Sequence, residues 1–238
     1  CAMSSIETWL ESFAVAAFWS LVTIAFYVLA RWLNRRRPRW WTAPLLLTPV
    51  LLISLALVVH EGYGDYIRGT HWLMFMLGPT TVAFALPIYE QRALIRRHWL
   101  ILLVGVAAGS GMAILSAWGL ATMLGLSGAM RLSLLPRSIT TPFAIAVSGD
   151  IGGVPDLTAI FVVMTGVCGA MLGELMLKWL PLRSSLARGA LFGMGAHGAG
   201  VAKAHQVGRE EGSMAGLVMV MAGLLNVLIA PVLAYCLR

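Results

Sequence analysis

One short stretch, Leu135–Pro155, constrains the fold of this chain more than any other part of it. Its sequence, LPRSITTPFAIAVSGDIGGVP, combines hydroxyl residues, three prolines, a Gly-Gly pair and an aspartate around a central apolar run, Phe143–Val147. A helix that crosses a bilayer needs roughly 20 apolar residues, so this stretch is too short to cross as a regular helix. Irregular backbone at membrane depth must be buried in protein or line a watery cavity. We therefore predict that the stretch is re-entrant and holds a binding site.

The composition of the whole chain indicates a helical membrane protein. Of its 238 residues 59% are hydrophobic and 11% charged, whereas soluble domains carry about 25% charged residues. The net charge of +7 comes from short basic clusters between apolar runs, which is typical of orientation signals and excludes a nucleic-acid-binding domain. Cys168 and Cys236 lie in apolar runs, so we expect them to be buried packing residues. We see no metal-ligand cluster and no nucleophile with a nearby base, and expect neither an enzyme nor a bound cofactor or metal.

Apolar runs divide the chain into about seven predicted spans within a single transmembrane domain, residues 1–238. A first helix at 13–33 precedes two sets of three elements, at 43–124 and 157–237, on either side of the central stretch at 135–155. Each set contains an interrupted helix, one broken by prolines and one rich in glycine. Paired interrupted helices predict an all-α, inverted-repeat transporter with its site near the bilayer midplane.

The distribution of Lys and Arg favours the re-entrant interpretation. If 135–155 enters and leaves on the same side, the basic residues of the loops divide twelve to four across the membrane; if it spans, they divide nine to seven. The more uneven split fits the rule that cytoplasmic loops are positive. We therefore predict a cytoplasmic C-terminus.

Three stretches resemble the signature sequences of the LrgB/CidB family, whose eukaryotic relative is the plastid glycolate/glycerate translocator. They are LGPTTVAFALPIYEQ (Leu77–Gln91), Leu135–Pro155 and GMGAHGAGVAKAHQVGREEG (Gly193–Gly212). The resemblance implies a multi-pass protein of the bacterial inner membrane that moves carboxylates such as glycolate, glycerate, pyruvate or lactate. It also implies a holin-like or antiholin-like regulator of murein hydrolases, often encoded beside an LrgA/CidA-type membrane partner.

Hydroxyl residues near the predicted helix breaks are candidates for substrate contact. A small carboxylate needs oriented N–H and O–H donors, and the N-terminus of a half-helix supplies them. Such a half-helix can begin near Pro142, with Ser/Thr as its cap. The alternative is that these residues only cap or shape the breaks. The candidates are Ser138, Thr140, Thr141, Thr80 and Thr81, together with Gly152 and Gly153 for close backbone approach.

Two cationic or titratable residues lie in the glycine-rich run. His197 is the only histidine inside an interrupted apolar run, so it is a candidate to donate to a carboxylate or to titrate with a cotransported proton. The alternative is a satisfied core histidine. Lys203 can anchor the substrate, or its side chain can extend to the membrane surface from near a helix end.

Acidic residues are candidates for coupling and gating. Asp150 can bind a cation or proton, or face the outer vestibule. Glu174 lies one turn before Lys178 and can pair with it, with a proton relay as the alternative. Glu90 and Gln91 are placed at the cytoplasmic mouth, where gating is one role.

The sequence predicts a secondary transporter of small monocarboxylates that works by alternating access, with proton coupling as a hypothesis. We expect the lipid bilayer and a second copy of the chain, in a homodimer, as partners. The alternative is the holin/antiholin-like regulator, which needs partner surfaces but no anion site at the midplane.

Overall fold

The computed structural model describes the backbone of residues 2–37, 39–60, 62–83 and 85–237, and the side chains of these residues apart from 2–12, 40, 63, 65, 74, 80, 81 and 237. Its regular structure is entirely helical, as predicted. The helices are α1 (Ala2–Arg36), α2 (Pro44–Val59), α3 (Tyr63–Phe75), α4 (Leu77–Ala83), α5 (Ala85–Glu90), α6 (Arg92–Met123), α7 (Gly128–Leu134), α8 (Thr141–Ile151), α9 (Pro155–Trp179), α10 (Ser185–Val207) and α11 (Arg209–Leu237), with 3₁₀ turns at Trp40–Thr42 and Leu135–Ser138.

Four helical segments in the described residues are long and apolar enough to cross a membrane, and the 16-residue α2 is a shorter apolar helix. The four are Phe13–Arg36, Arg92–Met123, Pro155–Trp179 and Arg209–Cys236. This supports the multi-pass prediction in its coarse form, while the seven-span arrangement stays a prediction. The proline-containing run at 72–88, predicted to be a broken or kinked helix at Gly78-Pro79 and Pro87, is interrupted slightly earlier: α3 ends at Phe75 and α4 begins at Leu77.

The chain divides into two compact units, residues 1–80 and 81–238. In the first unit α1 packs on α2 and α3. Trp19 is 1% exposed and its ring meets Tyr66 edge-on at 5.4 Å. Gly69 permits this approach, since a Cβ there would lie 3.2 Å from the Trp19 Cβ. Ser20 donates to the Gly69 carbonyl and accepts from the Trp72 indole, so polar bonds as well as apolar packing join α1 to α3.

In the second unit, residues 128–151 form a helical hairpin, which we call hairpin A. Its base is fixed by a buried hydroxyl cluster in which the Thr158 Oγ1 lies 2.7 Å from the Ser148 Oγ and 3.0 Å from the Ser133 carbonyl oxygen. Ser133 is in α7 and Ser148 is in α8, so the chain must reverse between them. The reversal falls near Thr140, where the backbone is extended.

Residues 185–207 form a second helical hairpin, hairpin B, because α10 is not straight. His197 has φ 36° and ψ −120° and divides the helix into two arms, 185–196 and 198–207. A Cβ at Gly200 would collide with the Phe192 carbonyl oxygen, although residues eight apart in a straight helix are about 12 Å apart. The second arm therefore folds back along the first, and the interruption predicted for this glycine-rich run is present.

The two hairpins enter from opposite ends of α9. Thr158, near the start of α9, bonds to the base of hairpin A, whereas Glu174, near the end of α9, pairs with Lys203 of hairpin B. Gly166, about halfway along α9, faces the tip of hairpin B, since a Cβ there would lie 3.1 Å from the His197 Cε1. The 3₁₀ turn of hairpin A contacts both α9 and α10. The tips of the two hairpins therefore meet near the middle of α9.

Helix α11 is the centre of the second unit. Its residues 214–220 are buried on every face. Gly193 of hairpin B packs on the Ala215 backbone, and Phe143 of hairpin A packs on Gly223. Both hairpins therefore rest on this one helix.

The exposure of two cysteines differs from the sequence prediction. Cys168 and Cys236 are exposed, so the prediction that they are buried is wrong; each lies on a helix face that no described residue covers. The pairing of 43–124 with 157–237 as inverted repeats stays a prediction.

Candidate functional site

The tip of hairpin A presents a helix N-terminus. Helix α8 begins at Thr141 with Pro142 in its first turn, as the sequence predicts. Thr140 is the N-cap residue and is 8% exposed, but its side chain makes no capping hydrogen bond. The N–H groups of the first turn of a helix have no partner within that helix. In α8 Pro142 has no N–H and the Ala144 N–H donates to the Thr140 carbonyl. The donors at this buried chain reversal are therefore the Thr140 hydroxyl and the Thr141 N–H, with half-buried Ser138 just before them.

The tip of hairpin B is His197 itself. The residue is 4% exposed, and its Nε2 atom has no hydrogen-bond partner among the described residues. Its positive φ is in the region that glycine favours and that costs other residues of order 1–3 kcal/mol. A strained backbone under a buried imidazole whose Nε2 atom has no partner calls for an explanation, and the role of His197 in binding or coupling stays a prediction.

Arg137 is a residue of this site that the sequence analysis counted only as an orientation charge. It lies in the last turn of the 3₁₀ helix at the tip of hairpin A and is half-buried. Both its backbone and its charge act on the His197 ring. Within the described part of the chain no carboxylate forms an ion pair with it. Its position within the stretch 135–155 was the available signal.

A narrow cleft lies beside the tip of hairpin A. It is lined by Ser110, Ala113, Ile114, Leu135, Pro136, Ser138, Ile139 and Asn226, and it is too narrow to hold a water molecule. The buried Asn226 side chain donates to the Ser110 Oγ at 3.0 Å and to the Ala222 carbonyl at 2.8 Å. Asn226 lay in an apolar run of the sequence, but nothing there paired it with Ser110, which is 116 residues away.

The structure does not bring every predicted site residue to the tips. Gly152 closes α8 with φ 86°, and a Cβ at Gly153 would lie 3.0 Å from the Ser133 N atom, which places both glycines at the base of hairpin A. Asp150 is exposed at the same end. The eleven residues of α8 put these residues about 16 Å from Thr140. Their roles in binding or coupling stay predictions.

The ionic pairing of Glu174 differs from the prediction. Its Oε2 atom lies 2.9 Å from the Lys203 Nζ, so the proposed pair with Lys178 is wrong. The reason is the reversal at His197, which returns the second arm of hairpin B to the level of Glu174. The Lys203 ammonium therefore already has an anionic partner and is not at the tip.

The remaining predicted residues lie elsewhere. Glu90 is exposed at the end of α5, and Gln91 is the N-cap position of α6. The Thr80 and Thr81 side chains lie outside the described residues. No group of three His, Cys, Asp or Glu in the described part of the chain is arranged to hold a metal ion.

The chain is similar in sequence to several bacterial proteins. It is 38% identical over 212 residues to YwbG of Bacillus subtilis, an uncharacterised protein, covering 89% of this chain and 94% of YwbG. It is 31% identical to the antiholin-like protein LrgB of Bacillus subtilis and 29% to the holin-like protein CidB of Staphylococcus aureus, each over 224 residues, 94% of this chain and 97% or 98% of the relative. No solved structure matches it.

Each alignment covers almost the whole length of the relative and of this chain. The similarity therefore includes both hairpins and the helices that bury them. The sequence model of the LrgB-like family matches residues 23–236, from within α1 nearly to the end of α11. The resemblance noted in three short signatures therefore extends through the fold, and this multi-pass membrane protein belongs to the LrgB-like family.

Proposed function

We propose that this protein is a secondary carrier of small monocarboxylates, with its site where the tips of hairpins A and B meet. One observation supports this proposal above the others: two hairpins enter from opposite ends of α9 and meet near its middle. Their arms have 10 to 12 residues, about 15–18 Å, so none is long enough to cross a hydrocarbon core of about 30 Å. Interrupted helices that end at the midplane are typical of substrate sites in carriers.

The groups at the tips suit a small anion. The Thr141 N–H and the Thr140 hydroxyl can donate to carboxylate oxygens, and the positive end of the α8 helix dipole favours a negative charge there. His197 brings a further nitrogen without a partner from the opposite hairpin. In this proposal the substrate joins the two tips.

The hairpins also suggest how access alternates. Each hairpin covers the tips from one end of α9, so movement of one hairpin opens the site to one face of the membrane only. The cleft beside the tip of hairpin A is too narrow to admit a water molecule, so in this proposal the site has to open before a substrate can enter. Proton coupling through His197 is part of the proposal and requires that uptake respond to an imposed pH gradient.

The test is uptake of radiolabelled glycolate, pyruvate and lactate into proteoliposomes that contain only this chain. Thr140→Val removes the hydroxyl at nearly constant shape and should reduce uptake about tenfold or more, the scale of a lost charged hydrogen bond. Thr122→Val is the control, because the Thr122 hydroxyl donates to the Trp118 carbonyl within α6 and accepts from Arg131 at the base of hairpin A, away from the tips. Absence of uptake of any acid by folded wild-type protein contradicts the proposal.

A holin/antiholin-like role is the second candidate, and the comparisons favour it over the carrier. The observation behind it is that two relatives named holin-like or antiholin-like align with almost the entire chain. In this proposal the chain changes membrane permeability, as an oligomer or with an LrgA/CidA-type partner, and needs no selective anion site.

Dye release separates the two candidates. Vesicles containing the chain are loaded with a small fluorescent dye together with labelled lactate. A holin-like pore releases both solutes, whereas a carrier retains the dye and exchanges only the acid. A carrier result in vesicles combined with altered autolysis of cells lacking the protein would support both roles for the same chain.

A further inference from the structure

We infer that Arg137 supplies the positive charge that neutralises the bound anion at the hairpin tips, so that the loaded site moves as a neutral complex. The inference rests on the proposed carrier function and deepens it. Arg137 has no binding role in the sequence-based prediction. The hydroxyl and N–H donors are uncharged and leave the bound anion with its negative charge, whereas Arg137 would make the loaded site neutral.

Arg137 lies where the tips of the two hairpins meet. It is in the 3₁₀ turn at the tip of hairpin A, next to Ser138 of the cleft, and its charge is near enough to act on His197 of hairpin B. Its side chain is only half-buried, although the turn it belongs to packs against both α9 and α10. A guanidinium stays charged at any physiological pH. The chain thus carries a permanent cation where the two tips meet.

Among the described residues, Arg137 has no anionic partner. Acidic residues on the elements that pack around the tips lie near the hairpin bases, and two of them already have basic partners. These residues are Asp150, Asp156, Glu174, Glu210 and Glu211, of which Glu174 pairs with Lys203 and Glu211 with Arg188. A charged residue inside a membrane protein is costly and marks a functional site by default. A cation without a described counter-ion is explained if its counter-ion is the ligand.

An arginine suits a carboxylate better than a lysine does at this position. A guanidinium presents parallel N–H groups that match the two oxygens of a carboxylate, whereas an ammonium acts as a point charge. An Arg137 fork on the carboxylate leaves the Thr140 hydroxyl and the His197 Nε2 for the rest of the ligand. The opposed tips would then recognise both ends of a small acid.

The test measures exchange of labelled lactate for unlabelled lactate across proteoliposomes under a potassium potential set with valinomycin. Exchange involves only the loaded carrier, so its response to potential reports the charge of the loaded site. For the wild type we expect exchange that does not depend on the potential. For Arg137→Gln we expect a KM raised tenfold or more and exchange that an inside-negative potential slows, because the loaded site now carries one extra negative charge.

Two further variants make the result specific. Arg137→Lys keeps the charge and loses the fork, so it should restore potential-independent exchange while its KM stays above that of the wild type. Arg131→Gln is the matched control: Arg131 is at the base of the same hairpin, stacked on Trp118 at 4.2 Å, and its replacement should change neither quantity.

Outcomes for the inference and for the carrier proposal are distinguishable. If Arg137→Gln exchanges lactate with the wild-type KM and the wild-type response to potential, Arg137 is not the counter-charge although the protein is a carrier. If folded Arg137→Lys has the same raised KM and the same response to potential as folded Arg137→Gln, the positive charge of residue 137 does not neutralise the bound anion, and the inference is wrong. If the wild type exchanges no acid, the carrier proposal and this inference are both overturned.

Discussion

Replacing His197 with glycine and with alanine tests whether the reversal of hairpin B rests on a strained backbone. Both variants lack the imidazole, so their difference in stability isolates the conformation with φ 36° and ψ −120°. Alanine keeps a strain of about 1–3 kcal/mol there, whereas glycine relieves it. The greater freedom of glycine in the unfolded chain offsets about 0.5–1 kcal/mol of this gain. We expect His197→Gly to be more stable than His197→Ala by about 1 kcal/mol.

The assay is thermal unfolding of the purified variants in nanodiscs of one lipid composition. For a chain of this size, 1 kcal/mol corresponds to roughly 2–4 °C in Tm. The control is Ala202→Gly, on an exposed and regular part of the second arm, where glycine should be less stable than alanine by about 1 kcal/mol. A His197→Ala variant more stable than His197→Gly would refute the argument, because position 197 would then behave like an ordinary helix position.

Two other substitutions test the packing and the ionic contacts of hairpin B. Gly193→Ala should destabilise the protein by about 1–3 kcal/mol, because its Cβ would collide with the Ala215 carbonyl, while Gly105→Ala, with open space around it, should be neutral or stabilising in the same thermal assay. A double-mutant cycle on Glu174 and Lys203 should give a coupling below about 1 kcal/mol, since their side chains are 55% and 28% exposed; a coupling of 3 kcal/mol or more would mean that the pair is shielded from solvent.

Local features of the fold could be predicted because they depend on residue type and spacing. Pro142 after two threonines predicted where α8 begins, since proline is favoured in the first turn of a helix. A five-residue apolar run between polar groups predicted that residues 135–155 are not one continuous helix, and the backbone is extended at Thr140 before α8 begins; whether they cross the membrane stays a prediction. The glycine-rich run predicted an interruption, but glycine at several positions did not identify the residue at the bend.

What could not be predicted depends on contacts distant in sequence. His197 was expected to bind substrate or protons, not to be the turn itself, because positive φ is rare outside glycine. Glu174 was assigned to Lys178 by helical spacing, and only the reversal of hairpin B brings Lys203 to it. Arg137 was counted among orientation charges, since nothing in the sequence indicated that a second hairpin tip would lie beside it.

The central position of α11 has a consequence for the order in which the protein is assembled. This helix buries parts of both hairpins, at Ala215 and Gly223, yet the ribosome makes α11 after both of them. Until α11 is inserted, the short arms have polar ends and no helix to cover them, and lipid cannot satisfy those groups. The nascent hairpins therefore have to wait at the insertion machinery or at the membrane surface, and a ribosome that stalls before α11 leaves a product for membrane quality control to remove.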